Sequence, residues 1–140
     1  MSKVVLDTDI LSEILKGKDA TVAARARAYR AEHGRYTFTV IAVFEIVRGL
    51  RRVQSLSRLD AFMGSVSSDE VLDLDVEAAV LGGEIDSRLT GIGRPIGTAD
   101  VIVAAIALRH GLALATGNES HYGLVRDAGY PLSIENWRRA

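Results

Sequence analysis

Two carboxylates and a hydroxyl follow an apolar run near the start of the chain, in the segment VVLDTDI. Asp7 comes directly after Val4-Val5-Leu6, so its carboxylate is expected where a buried strand ends. Two further acids, Glu45 and Asp100, lie in segments that are otherwise mostly apolar. If the three carboxylates converge, their repulsion at neutral pH must be relieved by protons or by a shared cation. Oxygen ligands without cysteine suit Mg²⁺ or Mn²⁺, and such an ion promotes phosphodiester hydrolysis.

Asp100 and Glu45 each have a structural alternative. Asp100, or Thr98 before it, could simply cap the helix that begins after a glycine-rich loop. Glu45 could be an exposed acid that pairs with Arg48 one helical turn later. Small residues beside Glu45 on the helical wheel would nevertheless let a ligand approach that face. The residues alone leave both alternatives open.

Length and composition predict one domain spanning residues 1–140, because 48% hydrophobic residues are enough to fill a single core. The formal net charge of -1 gives no bulk attraction to nucleic acid, so such a partner would need a local basic patch. The chain has no cysteine, which excludes disulfides and thiolate metal sites. The longest apolar run, 101–108, is far shorter than the roughly 20 residues of a membrane span. With no signal peptide expected before the first strand, we expect a cytoplasmic protein without a membrane partner.

Strand and helix patterns alternate along the chain, which predicts an α/β fold. The expected sheet is mostly parallel, with about five strands and helices on both sides. Predicted strands lie at 4–6, 36–39, 71–74, 112–116 and 132–134, and predicted helices at about 10–16, 21–33, 40–50, 55–66, 76–89 and 98–110. Thr8 or Asp9 is the expected N-cap of the first helix, Thr39 that of the third and Asp75 that of the fifth. Ligands of such sheets bind beyond the carboxyl ends of the strands, which places Asp7, Asp9, Thr116 and Asn118 at one rim.

The third helix is expected to bury the face that carries Val43, Phe44, Val47 and Leu50. The larger aromatic residues are interpreted as core residues and not as platforms for base stacking. They are Tyr29, Phe38, Phe44, Phe62 and Trp137.

Four ordered segments resemble the successive blocks of PIN-domain proteins, specifically the VapC-like toxins of bacterial toxin–antitoxin pairs. These segments are VVLDTDILSEILKG, FTVIAVFEIVRGL, GRPIGTADVIVAAIALRHGLALATGN and LSIENW. The resemblance covers almost the whole chain and implies a single PIN domain. It also implies an endoribonuclease that depends on Mg²⁺ or Mn²⁺.

The resemblance assigns the metal-holding acids to Asp7, Glu45 and Asp100. Asp7 and Asp100 would be direct ligands, while Glu45 would orient or activate the attacking water or ligate through water. Thr8 and Thr116 would support the site.

The fourth acid of the family's late block is replaced here. Asn118 stands where the family often has that acid, and His121 replaces an aspartate common slightly later. Without the fourth acid, a second tightly bound metal ion is not expected. Glu119 could replace that acid, but its position in the sequence is offset from the family's. His33 and His110 precede helix-ending glycines and are interpreted as structural, whereas the role of His121 stays open.

The resemblance further implies a homodimer, an RNA substrate and a cognate VapB-like antitoxin whose tail blocks the site. Arg48 and Arg94 are candidate contacts for the RNA backbone. Arg51 and Arg52 are equally consistent with an ordinary solvated face.

Three rival interpretations are compatible with parts of the sequence. Asp7 and Asp9 have the spacing found in phosphatases of the haloacid dehalogenase type, but that class needs a later lysine. Lys3, Lys16 and Lys18 all lie near the N-terminus, and a receiver-type phosphoacceptor domain fails for the same reason. The non-enzymatic rival is an inactive PIN scaffold that binds RNA or a protein partner, which the missing fourth acid would favour.

Overall fold

The computed structural model describes all residues 1–140 and contains one five-stranded sheet. The strands are β1 (Val4–Leu6), β2 (Thr37–Thr39), β3 (Glu70–Leu72), β4 (Ala113–Ala115) and β5 (Ile134–Glu135). Their order in the sheet is β3-β2-β1-β4-β5, and every pair of neighbours is parallel. The predicted α/β class is therefore confirmed, with a fully parallel sheet.

Seven helices connect the strands. They are α1 (Thr8–Lys16), α2 (Ala20–His33), α3 (Val40–Arg52), α4 (Leu56–Val66), α5 (Val76–Gly91), α6 (Thr98–Arg109) and α7 (Glu119–Asp127). Six of them match predicted helices to within a few residues. Helix α7 has no counterpart among the predicted helices, because its residues are mostly polar and Gly123 interrupts the helical pattern.

The central strand β1 is buried on both faces and separates two apolar cores. Val5 packs into a core formed with α5, α6 and α7. Val4 and Leu6 point to the opposite side, where they pack with α1, α2, α3 and the buried Trp137. Alternating side chains of one strand thus hold helices on both faces of the sheet.

The register of the sheet brings the ends of β1 and β4 together. Leu6 pairs with Ala115, and the backbone N–H of Asp7 donates a 2.9 Å hydrogen bond to the carbonyl of Ala115. The first residues beyond the two strands, Asp7 and Thr116, are consequently neighbours. Parallel strands place both side chains at the same carboxyl-end rim, as expected.

Several local predictions are wrong. Helix α3 buries Ala42 and Ile46, and the predicted Val43, Val47 and Leu50 are partly buried against the same core, whereas Phe44 is 60% exposed, so the core placement of Phe44 is wrong. The other four aromatic residues are buried. Phe44 is exposed because the face of α3 that is fully buried is centred on Ala42 and Ile46.

The helix caps also differ in part from the sequence expectations. The N-cap of α1 is Asp7 itself and not Thr8 or Asp9, because the Asp7 side chain accepts a hydrogen bond from the backbone N–H of Thr8. Thr39 and Asp75 cap α3 and α5 as predicted. None of the seven helices is long and apolar enough to cross a membrane.

A candidate active site at the carboxyl ends of the central strands

Asp7 lies at the centre of the rim and is only 7% exposed. Its Oδ1 accepts a 2.9 Å hydrogen bond from the backbone N–H of Thr8. Its Oδ2 accepts a 2.9 Å hydrogen bond from the hydroxyl of Thr116, which is fully buried. Both carboxylate oxygens are therefore held in place by the ends of β1 and β4.

The environment of Asp7 disfavours its negative charge. Burial, together with the nearby charges of Asp9 and Asp100, raises the pKa of Asp7 to about 7 against the opposing hydrogen bonds from Thr116 and Thr8. No basic side chain contributes to this balance. A cation bound here would therefore stabilise the ionised form of Asp7, which burial and the neighbouring negative charges destabilise.

Asp100 lies in the first turn of α6, but it does not cap the helix. The N-cap position is Gly97, and no side chain makes a capping hydrogen bond there. Instead, Asp100 Oδ2 lies 2.9 Å from Nδ1 of His121 and accepts a 3.3 Å hydrogen bond from Nδ2 of Asn118. The carboxylate is thus directed toward the rim, and the capping alternative is not what the structure shows.

Tyr122 connects the two aspartates and is not among the residues predicted from the sequence. Its hydroxyl is buried and has no hydrogen-bond partner. Burial and the charges of Asp7 and Asp100 raise its pKa above the usual range, so the hydroxyl keeps its proton and lies within reach of both charges. The acceptors that face this hydroxyl are the two carboxylates, so Tyr122 is a neutral donor placed between Asp7 and Asp100. The sequence offers no signal for Tyr122, because it does not predict α7 itself.

Glu45 joins the site through a threonine. The hydroxyl of Thr8 donates a 2.7 Å hydrogen bond to Oε1 of Glu45. Its other oxygen, Oε2, lies 3.8 Å from a guanidinium nitrogen of Arg48, so the predicted pairing within α3 is also present. Glu45 therefore lies beside Thr8, the residue that follows Asp7, and is not remote from the rim.

Asp9 has a structural role at the same rim. Its Oδ1 accepts a 2.8 Å hydrogen bond from the backbone N–H of Ile10, and its Oδ2 accepts a 2.9 Å bond from the backbone N–H of Gly117. The guanidinium of Arg138 lies 3.8 Å from the same Oδ2. Asp9 thus fastens the start of α1 to the segment that follows β4.

The remaining candidates occupy the margin of the site. Arg48 stacks over the exposed ring of Phe44, 5.1 Å from its centroid, and Arg94 is exposed in the loop before α6. Glu119 accepts hydrogen bonds from Asn136 and Arg139 and is thereby engaged by the C-terminal segment.

No three aspartate, glutamate or histidine side chains are grouped closely enough to hold a metal ion among themselves. The charge of Asp100 nonetheless acts on Asp7, and the neutral hydroxyl of Tyr122 faces both carboxylates. Mg²⁺ is usually held by one or two carboxylates and completes its shell with water and substrate phosphate. The residues therefore fit a hard divalent ion bound by two protein carboxylates.

The fold and the rim together define a parallel α/β domain with an acidic site at the ends of its central strands. Residues 4–125 match the PIN domain family, and the chain belongs to this family.

Named relatives cover nearly the whole chain. It is 32% identical over 138 residues to the tRNA(fMet)-specific endonuclease VapC of Shigella flexneri, covering 98% of this chain and 99% of the relative. It is 30% identical over 127 residues to VapC ribonuclease Y4jK of Sinorhizobium fredii, covering 85% and 89% of the two chains. The solved structure of DNA-bound VapBC from Salmonella typhimurium superposes with a TM-score of 0.80 at 28% identity, covering 98% of this chain and 99% of the other.

Proposed function

We propose that this protein is a divalent-metal-dependent endoribonuclease and the toxin of a VapBC-type toxin–antitoxin pair. The observation that supports this function most directly is the placement of Asp7 at the strand ends and Asp100 in the first turn of α6, near enough for the charge of Asp100 to act on Asp7 and with no basic side chain offsetting it. The match of residues 4–125 to the PIN domain family and the VapC relatives support the same conclusion.

In this mechanism Asp7 and Asp100 would hold the ion, Mg²⁺ or Mn²⁺. The bound ion supplies Lewis-acid stabilisation of the phosphate charge and makes a water more acidic. Thr116 and Thr8 fix the oxygens of Asp7, and the hydroxyl of Thr8 fixes Oε1 of Glu45. Oε2 of Glu45 is then the atom that orients the attacking water and accepts its proton.

The RNA backbone must approach an acidic rim, so basic residues beside that rim have to bind its phosphates. Arg48 and Arg94 are the proposed phosphate contacts, because both side chains are exposed, Arg48 on α3 with Glu45 and Arg94 in the loop that leads into the helix of Asp100. Contacts to phosphates bind the RNA backbone and do not distinguish one base from another. Because the proposed substrate is RNA, we expect the protein to act in the cytoplasm.

A groove between α1, α3 and α4 leads to the acidic rim and is the proposed site of the antitoxin tail. Its volume is about 420 Å³, and its apolar lining includes Leu15, Leu50 and Val53, whereas Thr8 and Glu45 lie in the same groove. An apolar antitoxin segment that ends in a basic residue complements this groove and would block the site. Under this proposal, the antitoxin suppresses cleavage by covering Glu45.

A homodimer is also proposed, with helix α5 in the interface. Val76 and Val80 lie one turn apart on α5 and are 79% and 68% exposed. These two side chains are the apolar contact that the proposed dimer would bury. Light scattering of the full chain, compared with a Val80→Asp variant, tests this proposal by the molar mass in solution.

The decisive experiment is cleavage of total RNA by the purified chain, with and without EDTA and with Mg²⁺ or Mn²⁺ added back. We expect cleavage that EDTA abolishes and that Asp7→Asn and Asp100→Asn each reduce at least ~100-fold. The matched control is Asp60→Asn, an exposed acid on α4. Equal cleavage by wild type and Asp7→Asn would assign the activity to a contaminant, and no cleavage by a metal-binding wild type would favour the inactive scaffold.

A further inference from the structure

His121 holds the carboxylate of Asp100 from the first turn of α7. The ring nitrogen Nδ1 lies 2.9 Å from Oδ2 of Asp100. A carboxylate oxygen accepts but cannot donate, so this contact is a hydrogen bond when Nδ1 carries the ring proton. The side-chain nitrogen of Asn118, also a donor, lies 3.3 Å from the same Oδ2 and 3.0 Å from Nδ1 of His121, and with Nδ1 protonated it donates to Oδ2.

His121 and Asn118 both lie against Oδ2 of Asp100, and neither of them contacts Oδ1. Oδ2 is engaged by His121 and Asn118, and the carboxylate can no longer rotate freely about its terminal bond. Oδ1 is then the oxygen available to a cation. Hydrogen bonds of this kind to a ligating carboxylate fix its orientation and strengthen metal binding.

His121 and Asn118 are held in position because α7 is anchored in the core. Tyr122 and Val125, on the same helix as His121, are fully buried. Asn118 is the N-cap residue of this helix, and its backbone N–H donates a 3.0 Å hydrogen bond to the hydroxyl of Thr116. The donors on Asp100 are therefore connected to the threonine that holds Asp7.

We infer that His121 is a positioning residue that, together with Asn118, orients Asp100 for binding a divalent cation. This inference rests on the proposed function, in which Asp100 is a metal ligand. His121 acts through Asp100 and has no contact of its own with the ion in this role. The His121 ring can donate a hydrogen bond to Asp100, whereas an ionised aspartate at position 121 could only accept one.

The test is Mn²⁺ binding to the full chain, measured by electron paramagnetic resonance of free Mn²⁺ in the absence of RNA. We expect His121→Ala to weaken Mn²⁺ binding by about 10-fold or more, as loss of such a partner typically does. His121→Asn should retain most of the affinity, because its side-chain N–H₂ can replace the Nδ1 donor. The control His110→Ala alters an exposed histidine at the end of α6 and should bind Mn²⁺ like wild type.

Unfolding midpoints of the metal-free proteins separate positioning from a general structural effect. An orienting role predicts that His121→Ala lowers affinity with little change in the midpoint, and that saturating Mn²⁺ restores most of the RNA cleavage. Wild-type affinity in His121→Ala overturns the inference, as does an equal loss in His121→Asn. If His121→Ala does not fold, the Mn²⁺ affinities of His121→Asn and His121→Leu are compared instead. The inference predicts that His121→Asn binds Mn²⁺ more tightly than His121→Leu, and equal affinities overturn it. Weakened binding without RNA cleavage by wild type would refute the proposed function and leave the inference standing.

Discussion

The hydroxyl of Thr116 donates a 2.9 Å hydrogen bond to Oδ2 of Asp7, joining residues that lie 109 positions apart in the sequence. The contact exists because β1 and β4 are parallel neighbours in register, so the residues after Leu6 and Ala115 meet. Both side chains are buried, and water cannot replace the bond if it is lost. The acidic site thus depends on a hydrogen bond that the sheet topology creates.

Removing this hydroxyl should weaken both the fold and metal binding. Thr116→Val keeps the shape of the side chain but leaves Oδ2 of Asp7 without its donor, at an expected cost of about 1–3 kcal/mol. The hydrogen bond from Thr116 lowers the pKa of Asp7, so its loss raises that pKa further. The pH midpoint of Mn²⁺ binding should then move to higher pH. Thr116→Ser is the control, and an unchanged midpoint in Thr116→Val would show that the hydroxyl does not stabilise the ionised form.

The metal-free protein should lose stability as pH rises from about 4 to about 7. The pKa of Asp7 is raised from 3.8 to about 7, so within this window the folded state binds more protons than the unfolded state. Stability therefore falls with pH, by an amount on the order of a few kcal/mol. Asp7→Asn keeps the capping hydrogen bond to Thr8 and removes the charge.

Urea unfolding in EDTA across this pH range, for wild type and Asp7→Asn, measures the effect. The difference in unfolding free energy should grow in favour of Asp7→Asn as pH rises. Parallel pH profiles for the two proteins would mean that Asp7 titrates normally.

The sequence predicts the two strands that carry the site, β1 and β4, because both are short apolar runs. Val4-Val5-Leu6 has no polar residue that could face solvent, which is typical of a strand buried on both faces, and β1 is the central strand of the sheet. The position of Asp7 and Thr116 at the rim is predicted in the same way, because both come directly after such runs. These features are local in sequence and need no knowledge of packing.

What the sequence could not predict depends on tertiary contacts. Helix α7 has few apolar residues and is stabilised by burying Tyr122 and Val125, so its own pattern is weak. The exposure of Phe44 likewise depends on which face of α3 the sheet accepts. The partners of Asp100 could not be named beforehand, because His121 and Asn118 are positioned by this unpredicted helix.

Gly117→Ala should be destabilising although the backbone of Gly117 does not have a positive φ. A Cβ at this position would lie 2.8 Å from Oδ2 of Asp9 and 2.7 Å from Nε of Arg138. Arg138 can move, but Asp9 is held by the backbone N–H of Gly117 itself. We expect a loss of about 1–3 kcal/mol, as for other overpacked sites. In Arg138→Ala/Gly117→Ala the loss should be only partly relieved, and full relief in urea unfolding would assign the clash to Arg138 alone.

Glu45→Gln should separate proton transfer from metal binding. The introduced amide can still accept the 2.7 Å hydrogen bond from Thr8 through its oxygen, so the fold and the position of the side chain should be retained. It cannot accept a proton from water, and kcat for RNA cleavage should fall about 10²–10⁴-fold. Because Asp7 and Asp100 are the proposed ligands, Mn²⁺ affinity should change by less than about threefold, within the range of ordinary electrostatic changes near a site. Asp60→Asn on α4 controls for the loss of one negative charge. A loss of Mn²⁺ affinity in Glu45→Gln that parallels its loss of kcat would instead make Glu45 a metal ligand, because an acid that acts only on water is not required for the ion to bind.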